Sequence, residues 1–199
     1  RAVPTRERTE ATHREIIAAA VHAFRVRGYA ATTMSTVAAL AGVSPRTLYR
    51  YFGSKSELFA ATVEEPNAKF IEQLSHLILS SPLRDAILAA IENADIKLNG
   101  ESREMMRLAA ADEIAWRYFL GAASRNEPVL AAALRAAAGR DESGEASADE
   151  LLLWDVRASA LLGAIAAAYR RWATTPGSEL SDLAAKAVDA VLPAIGSVP

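Results

Sequence analysis

No cysteine occurs among the 199 residues, so disulfides, thiol catalysis and cysteine-held zinc are excluded, and a reducing compartment is compatible. Histidine is scarce too. His13, His22 and His76 are scattered too widely for a metal-ligand spacing, and no cofactor or metal is expected. Long apolar runs are missing: the longest, Ala160 to Tyr169, has ten residues. A membrane span needs about 20. The first residues are polar and charged, with no apolar signal core. These features lead to the expectation of a soluble, cytoplasmic protein without a membrane partner. Dense β-branched, aromatic or glycine-rich stretches are also lacking, which argues against a mainly β protein. No Gly-rich phosphate loop, nucleophile elbow or His-Glu-x-x-His appears. Asp112 and Glu113 are neighbouring acids, but adjacent residues on a helix face different directions. Nothing here supports an enzyme.

What is present is alanine. It supplies 44 residues of a chain that is 51% hydrophobic, so nearly half the apolar count is small side chains with high helix propensity. An all-α protein follows. The net charge of −2 conceals an asymmetry. Residues 1–60 carry nine Lys/Arg against four Asp/Glu, whereas residues 61–199 carry thirteen against twenty. A basic head on an acidic body suggests that the head alone meets a polyanion.

The helix signals begin with Thr12-His13-Arg14-Glu15, which fits a capping box and predicts a first helix running to Gly28. Thr33 is an N-cap for a short helix with Val37, Leu40 and Ala41 inward, ended by Gly42. Ser44-Pro45 then reads as N-cap and first helical residue of another, lasting to about Tyr51. Ser54-Lys55-Ser56-Glu57 is a second capping box that opens a longer helix, in which Pro66 predicts a kink. Leu83–Leu98, roughly 101–138 (with a kink at Glu127-Pro128), Leu151–Trp172 and a last helix from Leu180 complete about nine helices. Pro193 should end or kink the last of them.

Two short helices around a Gly42 turn form a helix-turn-helix signature, which a generic αα-hairpin also satisfies. The second helix is informative. With Leu48 inward and about 100° per residue, Phe52 lies on the same side while Arg46 and Arg50 point almost directly away, flanked by Thr47 and Tyr49. Such a face suits base edges and phosphates in a major groove.

The stretch from Thr33 to Leu58 resembles the DNA-binding segment of TetR-type (tetracycline-repressor-like) transcriptional regulators. The resemblance rests on Ala41-Gly42-Val43-Ser44, Leu48-Tyr49-Arg50-Tyr51-Phe52 and Ser54-Lys55-Ser56-Glu57-Leu58, with Phe24 and Gly28-Tyr29 upstream. It implies an N-terminal DNA-binding domain over 1–58 and a C-terminal helical domain over 59–199 for ligand binding and dimerisation. It also implies a homodimer on a double-stranded DNA operator and a small-molecule effector. Carried over by position, Arg46, Thr47, Tyr49 and Arg50 face the groove, and Thr33, Ser44, Tyr51 and Lys55 contact phosphates. A ligand-responsive regulator, most naturally a repressor, is the leading reading. The other is a helical ligand-sequestering or interaction module that keeps the head but reads no operator.

In the body, Met105, Met106, Trp116, Phe119, Trp154 and Tyr169 are large groups among alanines, suited either to line an apolar pocket or simply to fill the core. On the helix 151–172, Ser159, Gly163, Ala166 and Arg170, with Leu162 at the edge, form an arc of mainly small residues opposite Trp154, Leu161, Ile165 and Trp172. Small residues admit a close second helix. Together with Val188 and Val191 of the last helix, they are the expected two-fold interface.

Overall fold

A computed structural model describes residues 5–93, 100–139 and 146–195, with the side chains of a few residues in the first and sixth helices and at the C-terminus excepted. Among the described residues there are ten helices and no strand: α1 (Thr5–Ala31), α2 (Met34–Leu40), α3 (Pro45–Tyr51), α4 (Lys55–Leu77), α5 (Leu83–Asn93), α6 (Gly100–Ala111), α7 (Glu113–Ser124), α8 (Glu127–Ala137), α9 (Ala148–Thr174) and α10 (Leu180–Ile195). The all-α expectation holds, with one helix more than the sequence suggested.

The difference arises in 101–138, which is three helices rather than the two arms of one kinked helix. Asp112 ends the first and starts the second: its carboxylate accepts from the Ile114 and Ala115 amides at 3.0 and 2.9 Å. Pro128 lies at the start of α8 behind the N-cap position of Asn126, so the predicted kink is a helix boundary. At the N-terminus, α1 begins ahead of the Thr12 capping box, because Thr5–Arg14 contains no helix breaker. The expected end of the first helix at Gly28 does occur. That residue has φ 78° and ψ 163°, and a short helical stretch to Ala31 follows it. α4 continues through Pro66 and α10 through Pro193. Residues 94–99, where the fifth helix is expected to close, lie outside those described, and Gly100 opens α6.

The chain divides into two compact units, 1–64 with 98–119, and 65–97 with 120–199. In the first, α1 packs on α2 and α6, and α2 on α3. Its core takes Ile16, Ala20 and Phe24 from α1, Val37 and Ala38 from α2, Leu48 from α3, and Leu58 and Phe59 from α4. Leu40 departs from expectation. It is 49% exposed, and Met34 and Ala38 turn inward instead. Met34, Val37 and Ala38 share one arc of a seven-residue helix, and Leu40 falls outside it. In the second unit α9 packs on α8 and α10, and α10 on α5. Leu130, Leu134, Trp154, Leu161, Trp172, Leu180 and Val188 are buried there. By length and composition alone α9 could cross a membrane. In this unit it packs against α8 and α10, and Asp155 and Arg157 interrupt its apolar character.

Candidate nucleic-acid interface

The α2–α3 turn is built by hydrogen bonds that only one backbone geometry allows. The Gly42 amide donates to the Ala39 carbonyl (3.2 Å) and the Val43 amide to the Ala38 carbonyl (3.0 Å). This pair is a Schellman closure, which needs a left-handed residue at its corner. Gly42 supplies it with φ 66°. α2 is capped by Thr33, whose hydroxyl oxygen accepts from the Thr36 amide at 3.1 Å. α3 is capped by Ser44, which accepts from the Thr47 amide at 3.0 Å, with Pro45 at the first helical position. Both caps were legible in the sequence.

Leu48 is fully buried and Phe52 nearly so. His13 of α1 lies beside them, its ring 5.2 Å from Phe52 and 6.2 Å from Tyr51. With that side of α3 anchored, Arg46, Tyr49 and Arg50 stand exposed and Thr47 half-buried. Tyr49 is 55% exposed. The Arg50 guanidinium lies 5.4 Å from the Tyr51 ring centroid. Between Ile16 and Ser56 the sequence has no Asp or Glu, so no carboxylate on this segment opposes a phosphate. Thr33 and Ser44 are exposed and Tyr51 half-buried.

Lys55 is placed differently from a side chain reaching outward. Its ammonium donates to the Tyr29 carbonyl at 2.9 Å and to the Ala30 carbonyl at 3.3 Å. It also sits 4.4 Å from the centroid of the Tyr29 ring. The Tyr29 hydroxyl meets the Ser56 hydroxyl at 2.9 Å. Burial raises the Tyr29 phenol above its ordinary pKa. The Ser56 bond opposes that rise and the Asp112 charge adds to it. No periodicity in the sequence points to this cluster, because it joins residues 26 apart.

The six pocket candidates fall in separate units. Met106, Trp116 and Phe119 are buried in the first, with Trp116 and Phe119 stacked at 4.9 Å. Trp154 and Tyr169 are buried in the second. Tyr169 lies edge-on to Trp172 at 6.3 Å, and burial pushes its phenol up to about 12. Arg157 covers the Trp154 ring at 4.3 Å. The Met105 side chain lies outside the described residues. Of the expected interface residues, Ser159, Gly163 and Arg170 are exposed and Leu162 and Val191 half-buried. Ala166 and Val188 are 6% and 0% exposed, covered by their own chain. Ala167, beside Ala166, faces outward.

Residues 16–62 match the family described as "Bacterial regulatory proteins, tetR family". An uncharacterized HTH-type transcriptional regulator of Mycobacterium bovis is 46% identical over 59 residues, 30% of this chain and 28% of that one. The HTH-type transcriptional regulator TtgR of Pseudomonas putida is 36% identical over 83 residues, 42% of this chain and 38% of that one. The matched segments thus span well under half the length of these curated relatives. The fold extends further. FadR of Thermus thermophilus, a TetR-family repressor solved with lauroyl-CoA, aligns with a TM-score of 0.65 at 20% identity, covering 89% of this chain and 91% of that one. The head, residues 16–62, thus matches the tetR family of bacterial regulatory proteins in sequence, and the chain as a whole is like such a regulator in fold alone.

Proposed function

We propose that the chain is a ligand-responsive transcriptional repressor that binds a near-palindromic operator as a homodimer and is released by a small, mostly apolar ligand. The observation that carries this reading is the outer face of α3, where Arg46, Tyr49 and Arg50 are exposed while Leu48 and Phe52 are held in the core. Arg46, Thr47, Tyr49 and Arg50 read bases. Thr33, Ser44 and Tyr51 hold phosphates through hydroxyls at the starts of α2 and α3 and at the end of α3. Residues 1–58 form the reading head and 59–199 the ligand-binding and dimerising body.

The homodimer reading is supported by α9. Leu152, Val156, Ser159, Gly163, Ala167 and Arg170 are exposed along one narrow stripe of the helix. A Cβ at Gly163 would meet nothing within 4 Å of its own chain. A mid-helix glycine costs about 1 kcal/mol against alanine, and nothing within the chain needs it. Close approach by a second copy gives it a purpose. Two heads about 34–36 Å apart then fit successive major grooves. The effector reading is supported by the apolar, alanine-rich body with its buried aromatics, and by likeness in fold to a repressor solved with lauroyl-CoA. The test is a gel shift on the DNA flanking the protein's own gene, with and without apolar ligands such as fatty acyl thioesters. A shifted band that ligand abolishes is expected. No preference over a randomised DNA pool, with or without ligand, would leave a sequestering module in its place.

A further inference from the structure

We infer that Lys55 is a positioning residue, which ties the start of α4 to the end of α1 and so sets the seat of the reading head, instead of contacting DNA phosphate. The inference deepens the DNA-binding reading and rests on it. A cation in the first turn of a helix opposes that helix's dipole, so Lys55 is poorly placed for α4 taken alone. Its ammonium points the other way, toward the carbonyls of Tyr29 and Ala30 near the end of α1. The Tyr29 carbonyl also takes the Thr32 amide at 3.3 Å, and a cation at this end of a helix complements the helix dipole. The Tyr29 ring lies beneath the ammonium at 4.4 Å, adding a cation–π contact.

The second point of attachment is one residue further on, where Ser56 meets the Tyr29 hydroxyl at 2.9 Å. Tyr29 is itself 3% exposed and wedged against Phe24 and Phe59, at 5.6 and 5.4 Å between ring centroids. The anchor is therefore rigid. Two of the three ammonium donors are directed at carbonyls, so turning Lys55 toward a phosphate would break this attachment. The helices that read DNA, α2 and α3, lie in the chain between the two ends that Lys55 and Tyr29 join. Loosening the clamp lets the α2–α3 segment shift against α1 and α4 without removing any contact to DNA.

The experiment compares Lys55→Met and Tyr29→Phe with the wild type in thermal unfolding and in salt-titrated DNA binding. Tyr29→Phe removes only the hydroxyl, so a folded variant is available even if Lys55→Met folds poorly. A clamp predicts a melting temperature lower by about 2–4 °C for each variant. Operator affinity should fall about tenfold for Lys55→Met, the scale of a lost charge-assisted hydrogen bond. The log–log salt slope should match the wild type, and the double variant should lose less than the two singles together. A slope that falls by about one per head on Lys55→Met makes the residue a phosphate contact and overturns the proposal. An unchanged melting temperature in both variants overturns it as well. If the wild type reads no DNA sequence, the regulator reading fails, and the melting cycle still decides whether the clamp exists.

Discussion

At the scale of single residues, physical chemistry separates side chains of the same type. Arg46 and Arg50 sit opposite the buried Leu48 and reach solvent. A bidentate arginine–guanine contact carries about 1–3 kcal/mol of discrimination. Arg46→Ala and Arg50→Ala should each weaken operator binding and flatten the preference at one or two base positions, as read by binding to a randomised pool. Unchanged preference in both variants would mean the wrong face was assigned. Tyr169 gives a second residue-level expectation. Burial holds its phenol neutral up to about 12, against an ordinary value of 10.0. The unfolded chain therefore loses this proton first as pH rises, and stability falls between about pH 10 and 12. That loss reaches about 2–3 kcal/mol from this group alone. Tyr169→Phe should remove it, which denaturant melts at pH 8 and pH 11 will show as a flatter pH dependence. The periodicity that placed the arginines was plain in the sequence. Only the surrounding core makes Tyr169 differ from any other tyrosine.

At the scale of elements, the turn between α2 and α3 is the most legible feature of the chain. Glycine, capping serine and proline sit at the offsets that a left-handed corner and a new helix require. At Gly42 the cost of a side chain lies in the backbone, since an added Cβ meets nothing within 4 Å while φ is +66°. Gly42→Ala should cost about 1–2 kcal/mol of stability through left-handed strain. It should also weaken DNA binding, measured by melting and gel shift together. Elements without such punctuation were read less well. Residues 101–138 carry a continuous helical pattern, and the breaks come from Asp112 folding back on the amides of the next helix and from the boundary ahead of Pro128. The Thr12 capping box failed for the converse reason: the motif is present, but nothing upstream stops the helix. A motif marks an end only where the chain has reason to leave the helix.

For the whole molecule, α9 provides the decisive test of assembly. Its exposed stripe runs from Leu152 to Arg170, and Gly163 lies near its middle with open space around it. Gly163→Arg therefore fits the isolated chain, and arginine favours a helix over glycine. The variant should stay folded by circular dichroism and sediment as a monomer at micromolar concentration where the wild type sediments as a dimer. A wild type of monomer mass, or a dimer indifferent to the substitution, would remove the two-fold assembly from the proposal.

Local signals account for what the sequence by itself determined: an all-α chain, a basic head and the outward face of α3. These depend on periodicity, caps, turn residues and charge count, all written within a few neighbouring positions. Tertiary structure alone decided the rest. Periodicity gives the two sides of α9 but not how wide a strip the neighbouring helices cover, so Ala166 and Val188 turned out buried in their own chain and Ala167 exposed. It likewise divided the buried aromatics between two units. Lys55 shows the reason most simply. A long, flexible cation takes whichever acceptors lie within reach, and carbonyls 25 and 26 residues away became its neighbours only when the chain folded.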